Sequence, residues 1–393
     1  MFQTDAKNLA LPIQLGDNLI LRRSTLNDVD ALCEFNKRIH KDELVGPWTR
    51  DLMTHGLPQF HADDFTVVEN SADHAIVSAV SLISQTWTYA GIPFKMGRPE
   101  LVGTDAAFRN RGLIRKQFEV IHEISRQRGE LVQGITGIPY YYRQYGYEMA
   151  LSLDGWRKGG PVNLPQLKEG EDEPYLIRWA VEADLPLIGE LYDTGCRRSL
   201  VATVWEQVDW RRELLIKDHK NINARRLAVI EDRSGERVGF LALPYDLWND
   251  TQFASHYELK AGVSWLEVSP SVIRFLWKFG EENAKAANKK LNAFGFTLGA
   301  AHPVYEAMSN RLPESNRIYA WYIRVPDLPA FLRAVVPALE KNLAQSNYAG
   351  QTDEMKISFY RSGLLLKLER GKITEISPWQ PTPDEWGTAA FPD

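Results

Sequence analysis

The chain reads as an α/β protein, in the looser sense α+β. It holds mixed, twisted sheets flanked by helices, the same arrangement used twice, with a small α+β unit at the end. Three observations predict this. Residues 100–147 run strand, tight basic loop, helix, strand and aromatic cluster. Ile177–Leu185 repeats Leu21–Val29 about one domain later, a sign of duplication. From Tyr319 onward a strand, an apolar-striped helix and a hairpin follow one another.

Length and composition bound the reading. A chain of 393 residues suggests two or three domains, each able to bury a core. Hydrophobic residues at 44% and charged residues at 25% are ordinary for a globular protein. A net charge of −5 argues against a nucleic-acid partner and allows a cationic amine substrate. Cys33 and Cys196 lie far apart, which argues against a disulfide framework or a cysteine zinc site. The histidines show no pair at metal spacing, so no metal is expected. No run approaches the apolar length of a membrane span, and residues 1–18 carry no cleavage signature. These readings predict a cytoplasmic protein with no membrane partner.

Taken in order, a strand over Asn18–Arg23 leads to Thr25 and Asp28, a capping pair for a helix reaching about Lys37. Mixed loop and helix follow between Pro47 and Phe60. Strands are expected over Phe65–Glu69 and Ala75–Thr88, then a connection through Gly91-Ile92-Pro93 and a central strand over Glu100–Thr104. This first unit closes near residue 154. Residues 155–174, rich in Gly, Pro and charge, read as a linker. A second unit over 175–317 opens with the repeat, in which Arg22 pairs with Arg178, Asp28 with Asp184, Leu32 with Ile188 and Glu34 with Glu190. Its strands are expected over Arg226–Glu231, Arg237–Leu243 and Glu258–Val268, and its long helix from Pro270 to about Lys289. Residues 318–393 form the last unit, with strand Tyr319–Val325, one helix over Asp327–Leu343, a hairpin from Met355 to Glu369 and a strand over Lys372–Ile376.

The chemistry concentrates in Arg109-Asn110-Arg111-Gly112-Leu113-Ile114. A strand ends, the chain turns through Gly112, and a helix begins with unpaired backbone N–H groups. Those donors, the positive end of the helix and two arginines suit a phosphate or pyrophosphate. The plainer alternative is a basic, solvent-exposed helix start. In the second unit Ser269-Pro270-Ser271-Val272 stands at the corresponding place, with no glycine or arginine to hold such a group.

Strand, Arg-x-x-Gly loop, helix, strand and Tyr142-Arg143-Gln144-Tyr145-Gly146-Tyr147 together resemble the GNAT family of N-acetyltransferases. Ile114 stands where that family usually has a small residue; the Eis-like (enhanced intracellular survival) branch often carries an aliphatic residue there. The three-part order is also similar to Eis-like chains: an active GNAT unit, a degenerate GNAT unit and a sterol-carrier-like C-terminal domain, atypically short at Asp393. The resemblance implies acetyl-CoA as cosubstrate, bound by Val102, Gly103 and Thr104 through main-chain atoms and by the 109–114 loop. It implies Tyr142 as general acid, against the alternative that the tyrosine run is only packing. For the base, several GNAT enzymes place a carboxylate where Glu100 stands, and strand alternation puts Glu100 on the face of Val102 and Thr104. A chain-terminal carboxylate or a water relay are the other options. The implied function is direct acetyl transfer to a primary amine on a small molecule or peptide, in an enzyme that assembles as a homo-oligomer. The alternative is a non-catalytic acyl-CoA sensor or lipid-binding protein.

Overall fold

The computed structural model describes residues 10–55, 60–153, 155–359, 362–382 and 387–390. The C-terminal carboxylate considered above lies outside the described residues.

The first unit begins with strands β1 (Ile13–Gly16) and β2 (Leu19–Arg23), then helices α1 (Val29–His40) and α2 (Val45–Thr54). Strands β3 (Phe65–Asn70), β4 (Ala75–Tyr89) and β5 (Ile92–Thr104) form an antiparallel meander. Helix α3 (Leu113–Gln127) crosses over to the parallel strand β6 (Val132–Ile135), and β7 (Glu148–Leu153) closes the run. The buried positions of α3 include Leu113, Phe118, Ile121 and Ile124, the apolar face visible in the sequence. Helices α1 and α2 cover one side of the sheet through Leu32, Phe35, Leu52 and Phe65. Helix α3 covers the other, against Leu21, Val80, Leu82 and Tyr147.

Residues 155–174 contain a strand as well as loop. β8 (Arg157–Gly159) belongs to the second unit's sheet, so the expected linker is partly built into that fold. Strand β9 (Tyr175–Trp179), helix α4 (Leu185–Cys196), strand β10 (Val201–Thr203) and helix α5 (Gln207–Leu215) follow. Next come β11 (Arg225–Asp232), β12 (Arg237–Pro244), β13 (Thr251–Ala254) and β14 (His256–Leu259). Helix α6 (Trp265–Ala286), β15 (Ala293–Phe296), helix α7 (Pro303–Ala307) and β16 (Glu314–Ser315) complete the unit. The strands pair in two sets, β14-β12-β11-β9 and β13-β15-β8-β16.

The repeat is physical. Arg22 bridges Asp28 at 2.7 Å and Glu69 on β3 at 2.7 Å. Arg178 bridges Asp184 at 2.7 Å and Glu231 on β11 at 2.8 Å. In both copies the aspartate also accepts the backbone N–H three residues before it, from Thr25 or Val181, and so fixes the helix start.

Two expectations fail here. The long helix of the second unit starts at Trp265, capped by Ser264, so no strand runs to Val268. Ser269–Val272 therefore sits inside the helix, and the turn that precedes it is Lys260–Ser264, with Gly262 at φ +84°. A serine before a proline mimicked a helix start that Ser264 already supplies. The expected single helix over Asp327–Leu343 is two, α8 (Leu328–Ala334) and α9 (Val336–Leu343), because Pro337 cannot extend the first.

The largest departure concerns β17 (Tyr319–Arg324). The sequence placed it at the head of the last unit, beyond a boundary at 318. It lies in the first sheet, antiparallel to both β6 and β7 and between them. The full order is β1-β2-β3-β4-β5-β6-β17-β7, with β10 added against β4. Local pattern identifies a strand but not its partner across 170 residues of intervening chain. Strands β18 (Asp353–Ser358), β19 (Gly363–Glu369), β20 (Lys372–Trp379) and β21 (Ala389–Ala390) form the last sheet. Phe331 of α8 joins this unit to the first, edge-on to Tyr89 and Phe94 at 6.0 and 5.3 Å.

Candidate active site

Strands β5 and β6 pair only at Met96–Val132 and Gly97–Gln133. Beyond Gly97 the pairing stops, and the other edge of β6 is occupied by β17. Past that point β5 keeps one neighbour, β4, so alternate main-chain groups of Val102, Gly103 and Thr104 face an open wedge. All three residues line a cleft of about 810 Å³.

The side chains there are held from behind. Thr104 Oγ1 meets Ser78 Oγ at 2.8 Å, and Ser78 Oγ donates to Gln117 Oε1 of α3 at 2.6 Å. Gln117 Nε2 donates in turn to Thr66 O at 2.8 Å. This buried relay fixes α3 to three strands and sets the far edge of the wedge. A Cβ on Gly103 would stand 2.6 Å from Ile39 Cγ2, so only glycine lets α1 come this near.

The loop after β5 completes the cleft. Arg109, Asn110, Gly112, Leu113 and Ile114 line it, as do His40, Tyr142 and Tyr145. Asn110 and Gly112 have φ of +63° and +73°, which turns the chain into α3. Gly112 caps the helix, and the first intrahelical bond is Lys116 N–H to Gly112 O at 3.0 Å. The N–H groups before Lys116 have no intrahelical acceptor, and the space beside Gly112 is open for 4 Å. Arg109 and Arg111 are exposed; Arg111 stacks 5.1 Å over Phe108 and approaches Asp17 at 3.8 Å. Leu113 and Ile114 pack into the core beneath the loop.

The tyrosine run is a short 3-10 turn, Tyr141–Tyr145. Three hydroxyls in and around it are spoken for. Tyr141 and Tyr145 meet at 3.3 Å, and Tyr147 meets His122 Nε2 at 2.9 Å. The Tyr142 ring is buried among Phe118, Tyr147 and Tyr322. Its hydroxyl reaches the cleft beside Gly137 and makes no hydrogen bond among the described residues. Burial, with the nearby Glu100 charge, pushes the Tyr142 phenol above its ordinary value, so it stays protonated.

Glu100 is close to this centre but not on the expected face. Glu100 and Gly103 flank a β-bulge, where Leu101 takes φ +54° and the pairing with β4 shifts by one residue. Leu101 packs with α1 and α2, and Val102 with the α3 core. On the near side of the bulge, Gly97 faces Ser125 and Glu130 beside α3. Alternation from Gly97 thus puts Glu100 with Arg98, opposite Val102 and Thr104. Arg98 donates to Glu100 Oε1 through Nε at 2.7 Å, and its guanidinium lies 5.1 Å from the Trp321 ring.

On that opposite side lies a second cavity, of about 310 Å³, between the first and second units. Its walls come from α2, β4, β5, α5, β17 and the loop after β10. No sequence signal marked it, because its residues come from six separate stretches. A regular strand hid the bulge as well, since a leucine in the left-handed region carries no compositional flag.

Residues 22–150 match the family model of the acetyltransferase (GNAT) domain. The first unit is therefore a GNAT acetyltransferase domain, and the protein is an enzyme of the acyltransferase class that uses an acyl-CoA. Among solved structures the whole chain resembles a probable N-acyltransferase from Enterococcus faecalis V583, at 12% identity and TM-score 0.61, covering 93% of this chain and 86% of the other. A GCN5-related N-acetyltransferase from Kribbella flavida shares 16% identity at TM-score 0.60, covering 93% and 85%. Saccharomyces cerevisiae N-myristoyltransferase, solved with myristoyl-CoA, shares 10% at TM-score 0.56, covering 80% of each. At these identities the likeness is one of fold. No curated protein sequence matches the chain. Among the described residues no helix is long and apolar enough to cross a membrane, and no cluster of side chains could hold a metal ion.

Proposed function

We propose that the protein transfers an acetyl group from acetyl-CoA to a primary amine, by direct attack within a ternary complex. The observation that carries this reading is the cleft that joins the free edge of β5 at Val102–Thr104 to the start of α3 and to Tyr142, with a second cavity reaching β5 at Arg98.

The cosubstrate lies in the larger cleft. Its pyrophosphate meets the N–H groups that open α3, with Arg109 and Arg111 neutralising charge around Asn110, Gly112, Leu113 and Ile114. Its pantetheine arm adds to the free edge of β5 along Val102–Thr104, and a main-chain N–H there polarises the thioester carbonyl. The amine arrives from the smaller cavity and attacks that carbonyl. The tetrahedral intermediate then collapses, the C–S bond breaks, and the Tyr142 hydroxyl gives its proton to the leaving thiolate. The amine's proton passes to Glu100, directly or through water. Glu100 Oε1 is committed to Arg98, and no hydrogen bond engages Oε2 among the described residues.

The matched ion-pair networks support reading the second unit as a GNAT copy that has lost its cofactor site. Its Tyr305 hydroxyl, unlike that of Tyr142, is saturated by Leu298 N–H, Gly155 O and Phe296 O. Residues after Arg324 are then the sterol-carrier-like unit of an Eis-like chain.

Calorimetric titration with acetyl-CoA tests this reading. One site per chain is expected, weakened about tenfold or more when Arg109 and Arg111 are both replaced by alanine. Tyr142→Phe should bind acetyl-CoA as the parent does and turn over about a hundredfold more slowly. Unchanged turnover removes Tyr142 from the chemistry, and absence of binding by folded protein removes the transferase reading.

A further inference from the structure

The lining of the smaller cavity bears on the chemistry of what it holds. Four cations line it (Arg98, Arg212, Lys217, Arg225) against three carboxylates (Asp51, Asp209, Glu213). The carboxylates are already engaged. Asp51 Oδ1 lies 2.9 Å from His55 Nδ1, and Oδ2 accepts Asn221 Nδ2 at 2.7 Å and Asp218 N–H at 3.1 Å. Glu213 Oε1 accepts Arg225 N–H at 2.5 Å, and its other oxygen pairs with Lys217. Asp209 Oδ2 accepts the Glu206 N–H at 2.9 Å.

The donors are less well matched. Arg212 makes one hydrogen bond, Nη2 to Asp51 O at 3.3 Å. Its Nε is buried with no partner among the described residues. Among the described residues no acceptor meets the Asn223 side-chain amide or the Trp205 indole N–H, both of which line the same cavity. Arg212 Nη1 also has no acceptor among the described residues and, unlike Nε, is not enclosed, so it is the guanidinium donor that an occupant bearing acceptors can engage. The remaining walls mix the aromatic rings of Trp48, Trp87 and Trp321 with polar side chains such as Ser84, Thr86 and Thr203. The volume suits a small molecule rather than a folded partner.

We infer that the acceptor is a small amine that also carries an anionic group, a carboxylate or a phosphate, seated on Arg212 and Asn223 with its amine toward the Arg98–Glu100 end of the cavity. This rests on the transferase reading for what happens to the amine, but the anion selectivity stands on the cavity alone. An anchor for the anion at one end leaves the amine as the free end, and in the reverse orientation the Arg212 guanidinium would repel the ammonium form of the amine.

The test uses the full chain and three probes that differ in one group: ethanolamine, serine (its carboxylated form) and phosphoethanolamine. Tryptamine and tryptophan make the same comparison for a larger side chain. Binding is read by calorimetry and by the fluorescence of the tryptophans in the wall, without and with acetyl-CoA. In one or both series the anionic member should bind about tenfold or more tightly than its neutral-tailed counterpart. Serine against phosphoethanolamine tells carboxylate from phosphate. The advantage should vanish in Arg212→Met and persist in part in Arg212→Lys, with acetyl-CoA affinity unchanged in both. Asn223→Leu, a substitution outside the ion-pair network, should reduce it as well. Equal binding within both series, preference for ethanolamine and tryptamine, or no binding of any probe at millimolar concentration would overturn the inference. Selectivity retained in Arg212→Met would overturn its assignment. If ethanolamine or tryptamine is instead the better acetyl acceptor, the transferase reading survives and the anion inference falls. If the anionic probes bind selectively yet the folded protein binds no acetyl-CoA, the reverse holds.

Discussion

Tyr142 and Gly112 each do one thing that a neighbouring residue type cannot. Tyr142 holds a phenol in an aromatic pocket with its hydroxyl unengaged. Because burial raises its pKa, the acid form persists above the ordinary value of about 10. The rate of the transfer step should therefore show no loss of general acid between neutral pH and about pH 10, measured with saturating substrates. A decline with a midpoint near 9 that disappears in Tyr142→Phe would contradict the burial argument. Gly112 sits at φ +73° with open space around it, so a side chain there meets backbone strain rather than a clash within the protein, and would intrude on the cosubstrate in the proposed binding mode. Gly112→Val should cost about 1–2 kcal/mol of stability and weaken acetyl-CoA binding further than that strain explains. At this scale the loop was legible. The turn through Gly112 and the helix onset at Leu113 are adjacent in sequence and stand where the sequence put them. The side of β5 that Glu100 faces was not legible, because it depends on Leu101 entering the left-handed region.

Among elements, β5 and α3 position the site together, and the buried Ser78–Gln117–Thr66 relay locks their spacing. Gln117 is completely buried, and its amide is the one polar group that α3 sends into both β3 and β4. Gln117→Leu should remove the bonds to Ser78 Oγ and Thr66 O, leaving Ser78 to hold Gly103 O and Thr104 Oγ1 without its tie to α3. About 1–3 kcal/mol of stability should be lost. The KM for acetyl-CoA should rise more than kcat falls, since the wedge edge moves while Tyr142 does not. Melting curves and steady-state kinetics on one preparation would show this, and an unaltered KM would argue that β5 is held by its own ladder. The apolar period of α3 was plain from sequence, but a glutamine on that face was invisible as a tie until its partners, 39 and 51 residues away, were known.

In the molecule as a whole, the unit boundaries read from composition and the boundaries drawn by hydrogen bonds differ. β17 arrives from residue 319 to separate β6 from β7, bringing Trp321 against Trp87 and Tyr322 against Tyr142. A chain ended at residue 317 should therefore fail to form a binding-competent acetyltransferase unit, despite keeping the entire family-matched segment, 22–150. Circular dichroism and acetyl-CoA titration of that truncated chain would check this; native-like binding would show that β6 and β7 can pair without it. Acid should expose a second global property. Burial holds His122 down to about 3 and His256 to about 4, against an ordinary value near 6.5. The folded protein thus binds fewer protons than the unfolded chain at low pH. The stability that these two residues contribute is fully present above about pH 6.5. It should be lost steadily as the pH falls toward 4 and then 3. Melting temperatures from pH 7 to 4 should drop, and His122→Gln should flatten part of the slope.

The late arrival of β17 also has a consequence in time. Ribosomes emit about 5–20 residues per second, so on the order of ten to forty seconds separate the emergence of β6 from that of the strand that must lie beside it. Throughout that interval the nascent first unit holds two strand edges, on β6 and β7, with their final neighbour still unmade. Any early pairing between them must be undone when Tyr319–Arg324 appears, which makes the enzyme's maturation wait on the synthesis of that strand and gives a chaperone that shields strand edges its window of action.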